Sequence, residues 1–379
     1  MNGDKCDAVF GPQVADDWPR GVANSLLGAK SDASVEMKKS TKLGLPLCVA
    51  GLAFVGGRML LHNSRRFDYR GRRAIVTGGA RGLGLVLARR LVKAGAKVAI
   101  CSRTLPEVEF AAAELRQRGG EVLAFRCDVR NRQQVHDMTR HVVEHWGGVD
   151  LLFNVAGVIE VGPLDAMTMD DFHGSMNTNC WGALHTTLAA LPWMRQAGWG
   201  RIVNISSVGG KLAVPHLLPY VASKFALVGL SAALRAELAS DGILVTTICP
   251  GLMRTGSPRN ATFKGQHRKE YAWFSIGDSL PLVSMSAERA AEQIMQACQR
   301  GDAEVVLSPL GKLAAGLQAL SPNLVAELTA IAQRLLPRNG GLLTQSAKGY
   351  ESQSAWSPSI LTALGDSAAA GNNETPRNG

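Results

Sequence analysis

From Arg72 onward, short apolar runs of strand type alternate with longer helical stretches, and no other feature narrows the fold as far. Arg73-Ala-Ile-Val76 is the first run, followed by a helical pattern over Leu83–Ala94 that closes at Gly95. Lys97–Cys101, Glu121–Phe125, Leu151–Asn154, Arg201–Ile205, Leu244–Ile248 and Glu304–Leu307 bring the strands to seven. Between them lie helical stretches at Glu107–Arg118, Gln133–Trp146, about 169–196 and about 219–240. Such alternation predicts right-handed crossovers and a mainly parallel sheet covered by helices on both faces. The expected fold class is α/β: one doubly wound domain over residues 68–310.

The flanks differ in character. Residues 1–42 are polar and without periodicity, and are expected to be disordered. Segment 43–61 opens with an uncharged run, Leu43–Gly57, and continues through Arg58 to Leu61. It reads as an N-terminal membrane anchor, with Arg58 reaching the interface, or as an apolar helix packed on a surface. Arg58, Arg65, Arg66, Arg70, Arg72 and Arg73 follow it, against Lys38, Lys39 and Lys42 before it. That excess predicts a catalytic domain on the cytoplasmic side. Met37 offers an alternative start. Residues 311–345 are expected to form a helical extension, mainly Lys312–Leu336, and 346–379 a disordered tail rich in Gly, Ser, Ala and Asn.

Composition narrows the function. With 46% hydrophobic and 19% charged residues the chain has material for a core. Its net charge of +10 comes without a Lys/Arg block or an aromatic platform, which argues against nucleic acid as a partner. A basic surface suits a phosphate-bearing cofactor or an anionic membrane. The seven cysteines are dispersed and lack paired spacing, so neither a disulfide framework nor a metal site is expected.

The first strand runs into Thr77-Gly78-Gly79-Ala80-Arg81-Gly82-Leu83-Gly84, and a helix follows. Glycines let backbone approach a pyrophosphate seated on the helix N-terminus. The spacing is G-x-x-x-G-x-G, and its strand–turn–helix setting gives the signal its force. The second strand ends at Cys101-Ser102-Arg103, where a site for NAD commonly offers a carboxylate to the ribose 2′-hydroxyl. Arg103 and Arg81 instead suit a 2′-phosphate, so NADP is preferred to NAD.

The strand Arg201–Ile205 ends in Ser206-Ser207, and Tyr220 with Lys224 follows at helical i, i+4 spacing. Those two side chains share one helix face and can point together at the carboxyl ends of the strands. A neighbouring ammonium is expected to lower the phenol toward a useful proton donor and acceptor. Ser206 reads as a neighbour and His216 as a rim residue of the substrate mouth.

Over residues 68–310 the chain resembles the short-chain dehydrogenase/reductase family, and the resemblance implies a Rossmann-type fold. It rests on the glycine turn Thr77–Gly84, Asp128-Val129, Asn154-Val155-Ala156-Gly157, Ser207 with Tyr220 and Lys224, and Pro250-Gly251. It implies Tyr220 as general acid/base and Lys224 as the residue that holds the nicotinamide ribose and lowers the tyrosine. It implies Ser207 as the hydrogen-bond partner of the substrate oxygen and Asn179 as the holder of a relay water. Asp128 with Val129, and Asn154 with Ala156 and Gly157, are implied on the adenosine side. Pro250, Gly251 and Thr255 are implied at the nicotinamide amide. Val155, where the family often has a second Asn, is a mild departure. A homo-oligomer is expected by the same analogy.

The substrate wall is expected from Val158, Ile159, Lys211–Leu218 and residues 252–282, which carry Phe263, Tyr271, Trp273 and Phe274. That lining predicts a lipophilic alcohol or carbonyl substrate. The alternative is a non-catalytic NADP-binding sensor or scaffold, against which the complete set Asn179, Ser207, Tyr220 and Lys224 speaks.

Overall fold

Alternating side chains of β1 (Arg73–Thr77) divide the interior in two: Ala74 and Val76 join one apolar cluster, Ile75 the other. The computed structural model describes residues 57, 62–280, 284–337, 346–359 and 361–375. The chain continues through α1 (Gly82–Lys93), β2 (Lys97–Ser102), α2 (Leu105–Gln117), β3 (Val122–Arg126), α3 (Arg132–Trp146) and β4 (Leu151–Asn154). After a short strand β5 (Glu160–Val161) come α4 (Met169–Met176), a π-turn over Asn177–Trp181, and α5 (Gly182–Gln196). Then follow β6 (Gly200–Ile205), α6 (Leu218–Glu237), β7 (Ile243–Cys249), β8 (Met253–Arg254), β9 (Thr262–Lys264) and α7 (His267–Ser279). The remainder is β10 (Met285–Ser286), α8 (Ala287–Arg300), β11 (Glu304–Val306), α9 (Pro309–Leu320), α10 (Pro322–Gln333), β12 (Ser346–Lys348) and α11 (Ala363–Gly371).

The main sheet has seven strands in the order β11-β7-β6-β4-β1-β2-β3, and every pairing is parallel. The strand order reverses between β1 and β4, which opens a crevice at their carboxyl ends. On one face α8 buries Ala287, Ala290, Ala291, Ile294, Ala297 and Cys298, a stripe of helical spacing packed against α1. On the other, α3 and α5 bury Val135, Met138, Val142, Ala190, Leu191 and Met194. The Asn131 side chain caps α3 by accepting from the Gln134 N–H, and Gly147 ends the helix in the left-handed conformation at φ 79°.

The seven strands of the sequence reading are all present, and the structure departs from that reading elsewhere. The stretch 169–196 is interrupted by the π-turn. The stretch Lys312–Leu336 is two helices, because Ser321 leaves helical geometry and Pro322, which has no N–H to give, starts the next. The expectation of disorder beyond 346 is corrected: β12 pairs antiparallel with β9, and α11 packs against α7. Composition suggested disorder, but the small residues there allow close approach, as at Ala369 against Gly256. The stretch 1–42, expected to be disordered, lies outside the described residues, as does the expected anchor 43–61 apart from Gly57. Among the described residues no helix is long and apolar enough to cross a membrane.

One ion pair ties strand β1 to the start of β4. Arg73 donates from Nε to Asp150 Oδ2 at 2.8 Å and from Nη2 to Oδ1 at 2.7 Å, and its backbone N–H adds a third bond at 2.9 Å. Burial pushes the Asp150 carboxyl up, but Arg73 more than reverses this and holds it below the usual carboxylate range. Asp150→Ala is expected to cost about 2–3 kcal/mol of unfolding free energy at neutral pH, measured by denaturant titration. The gap from wild type should close as pH falls below about 4, because protonating Asp150 removes the same pair.

Candidate active site

Thr77, the last residue of β1, uses its hydroxyl to fasten the crevice. Its Oγ1 accepts from the N–H groups of Val155 at 2.9 Å and Ala156 at 3.1 Å, just past the end of β4. Gly78 then adopts φ 66°, where a Cβ would press on the Ala156 backbone at 3.0 Å. At Gly84 a Cβ would collide with the Gly78 carbonyl oxygen. Glycine at both positions lets the turn pack tightly at the N-terminus of α1, and Gly79 is tied to the Cys101 carbonyl at 3.1 Å.

From this turn runs a cleft of about 590 Å³. Its walls bring together Gly78, Arg81, Gly82, Leu83, Gly84, Ser102, Arg103, Asp128, Val129, Ala156, Gly157, Ser207, Tyr220, Lys224, Pro250, Gly251 and Thr255. Asp128 is held below its usual range, first by hydrogen bonds from Arg130 and in part by the charge of Arg103. The Arg81 guanidinium lies 3.8 Å from Glu107 and 3.7 Å from Glu374. Val208 donates to the Pro250 carbonyl at 2.7 Å, which joins the ends of β6 and β7 beneath the cleft.

Lys224 is buried and donates from Nζ to the Ile205 carbonyl at 2.9 Å, with its cation 5.6 Å from the centre of the Tyr220 ring. Burial lowers its ammonium to about 8. Burial pushes the Tyr220 phenol up to about 12, against a lowering from the Ser207 hydroxyl. The expected depression of Tyr220 is therefore not what the protein alone provides: Lys224 gives its hydrogen bond to Ile205, and desolvation of the ring dominates. Ser207 Oγ accepts from the Gly209 N–H at 3.0 Å, and Ser206 donates to the Lys224 carbonyl at 3.0 Å.

Two asparagines lie behind the wall. Asn179, placed by the π-turn, accepts from the Val158 N–H at 2.8 Å and donates to the Val158 carbonyl at 3.1 Å and to Ser223 Oγ at 2.9 Å. A Cβ on Gly157 would stand 3.1 Å from Asn179 Oδ1 and 3.7 Å from Lys224 Nζ, so both groups meet the chain at that glycine. Asn154 points into the sheet, where it donates to Asn204 Oδ1 at 2.8 Å and accepts from Thr186 at 2.6 Å. Both side chains are bonded within the protein, and neither is on the cleft wall.

The apolar end of the cleft is lined by Val158, Ile159, Leu212, Val214, Leu217, Leu252, Trp273, Phe274, Leu310 and Ala314. Phe263 and Tyr271, expected there, are core instead, packed edge to face at 5.4 Å. His216 is not a rim residue. It has φ 63° and turns inward, with Nδ1 2.8 Å from the buried Glu270, whose other oxygen accepts from Trp273 Nε1 at 2.6 Å. Sequence reasoning missed Glu270 and Asp278, although Glu270, Trp273, Phe274 and Asp278 recur at helical spacing on α7. Asp278 accepts from the Met253 N–H at 3.0 Å, and among the described residues no donor reaches its Oδ2. Burial raises its carboxyl to about 7.

Comparison with known proteins agrees with this geometry. The model of a family described as short chain dehydrogenase matches residues 72–264. A putative ketoacyl reductase of Streptomyces coelicolor is 40% identical over 184 residues, 48% of this chain and 70% of that one. A dehydrogenase/reductase SDR family protein 7-like of Anopheles gambiae is 31% identical over 304 residues, 78% of this chain and 94% of that one. Among solved structures, a short chain dehydrogenase/reductase from Burkholderia phymatum in complex with NAD has TM-score 0.63 at 26% identity, covering 68% of this chain and 96% of that one. A gluconate 5-dehydrogenase from Burkholderia cenocepacia in complex with NADP and tartrate has TM-score 0.58 at 29% identity, covering 65% and 98%.

Because the folded Asp278 carboxyl is raised, its share of stability is whole below its ordinary value of about 4 and is lost as pH climbs to about 7. Asp278→Asn is therefore expected to gain melting temperature over wild type at pH 8 but not at pH 4, a comparison made by scanning calorimetry.

Proposed function

The chain belongs to the short-chain dehydrogenase/reductase family, and from that premise we propose that it is an NADP(H)-dependent oxidoreductase interconverting a lipophilic alcohol and its carbonyl compound, with Tyr220 as general acid and base. The observation that carries this reading is the meeting of Ser207, Tyr220 and Lys224 on the wall of one cleft that begins at the glycine turn.

The cleft fits a dinucleotide. Gly78 and Gly84 let the turn pack against Ala156 and against its own backbone as no side chain could, and backbone N–H groups at such a helix start can hold a pyrophosphate. Arg81 and Arg103 would take the 2′-phosphate. Asp128, Val129, Ala156 and Gly157 would line the adenosine side, while Pro250, Gly251 and Thr255 would face the nicotinamide.

When bound, the nicotinamide supplies or accepts the hydride. The chain handles the proton and the position. Ser207 and Tyr220 donate hydrogen bonds to the substrate oxygen, and in reduction Tyr220 gives up its proton to it. Lys224, fixed by Ile205, stabilises the phenolate that remains. In oxidation the phenolate accepts the hydroxyl proton. Asn179 positions the loop at Val158 and holds Ser223 of the catalytic helix. The apolar lining supports a lipophilic substrate, and exposed Leu188 on α5 and Phe225 on α6, with Trp181 just before α5, support a homo-oligomer.

NADPH oxidation with a panel of lipophilic ketones and aldehydes tests the reading. Tyr220→Phe is expected to lower kcat by about 100- to 10,000-fold with NADPH binding retained. Undiminished turnover in that variant defeats the assignment of Tyr220; tight NADPH binding with no turnover on any carbonyl favours a sensor. Arg103→Asp is expected to weaken NADPH by about tenfold or more while sparing NADH, in a fluorescence titration of both nucleotides.

A further inference from the structure

The segment Gly371–Glu374 lies on the glycine turn. The Gly82 N–H donates to the Asn372 carbonyl at 2.8 Å, and Asn373 donates to the Ala80 carbonyl at 3.3 Å. Arg89, about two helical turns further along α1, donates from both Nη atoms to the Gly371 carbonyl at 3.0 Å. The Glu374 carboxylate rests against the Gly82 Cα, occupying the space a Cβ there would need, and its Oε2 is 3.7 Å from Arg81 Nε. Asn260 clamps it, donating to the Glu374 carboxylate and, at 3.1 Å, to its backbone carbonyl. Glu374 is only 6% exposed and lies on the wall of the cleft.

These are the groups that the preceding section assigns to the dinucleotide's phosphates, and the inference rests on that reading. One N–H at a helix start donates to one acceptor, and a carboxylate and a pyrophosphate repel when both face a single positive helix end. We propose that Gly371–Glu374 is an internal occupant of the phosphate cradle, so that tail and dinucleotide exclude each other. Nucleotide then binds only to the fraction of molecules whose tail has lifted, which raises its apparent dissociation constant by that fraction. Burial makes the seat costly for a carboxylate, and Glu107 adds to that cost while Arg81 and Asn260 offset it. An occupant held this way is displaceable.

The test compares NADPH binding by the full chain, a Δ372–379 truncation that keeps α11, and Asn260→Ala, which loosens the clamp without touching the glycine turn. Fluorescence titration is expected to give dissociation constants about tenfold lower for the truncation and lower also for Asn260→Ala. A synthetic peptide of residues 368–379 added to the truncated protein should weaken NADPH again. Hydrogen exchange of the Asn372–Glu374 amides in the full chain should quicken when NADPH is added. Equal constants in all three proteins with unchanged exchange overturn the proposal, as does weaker binding by the truncation, which makes the tail part of the binding site. If no form binds NADPH, the dinucleotide reading itself falls, and this inference with it.

Discussion

A single threonine hydroxyl holds the crevice on which the rest of the structure depends. Thr77 receives two backbone N–H groups from the chain leaving β4, so the two strands that flank the reversal of strand order are joined at their carboxyl ends. The glycine turn departs on one side of that join and the Val155–Val158 segment on the other. Both border the cleft whose wall also carries Ser207, Tyr220 and Lys224. Parallel strands make this economical, because all seven end on the same edge and deliver their following loops to one place.

The electrostatics of the cleft are those of groups kept dry. Lys224 falls to about 8 and Tyr220 rises to about 12, both chiefly because water is excluded. A phenol and an ammonium in such surroundings respond strongly to any charge introduced beside them, since little solvent is present to screen it. Asp278 and Glu374 are carboxyls in the same condition, each raised to about 7.

Much of this was legible in the sequence, and the limits have a physical cause. Seven strands, the covering helices, the glycine turn and the pairing of Tyr220 with Lys224 all rest on local periodicity, which short windows of sequence carry. Arg81 follows from the glycine turn and Arg103 from the end of the second strand, while the roles of Ser207 and the Pro250 loop come from the family resemblance. The buried partnership of His216 with Glu270 spans 54 positions, and that of Asn260 with Glu374 spans 114, and no local pattern announces such contacts. The tail misled for a related reason: its Gly, Ala and Asn residues resemble those of unfolded segments, yet their small size is what lets them lie flat on α1 and α7. Asn154 and Asn179 were visible as residues, but only coordinates reveal that their amides are spent inside the protein.

The three-stranded sheet β12-β9-β5 has a consequence for how the chain is made. Its central strand, Thr262–Lys264, is parallel to one neighbour and antiparallel to the other, and that second neighbour, Ser346–Lys348, leaves the ribosome well after it. Until then β9 presents an open row of backbone donors and acceptors. A prematurely terminated product that stops short of Ser346 keeps that edge bare for its lifetime. Such an open edge is a template for pairing with another chain, whereas a chain that includes Ser346–Lys348 covers it from within.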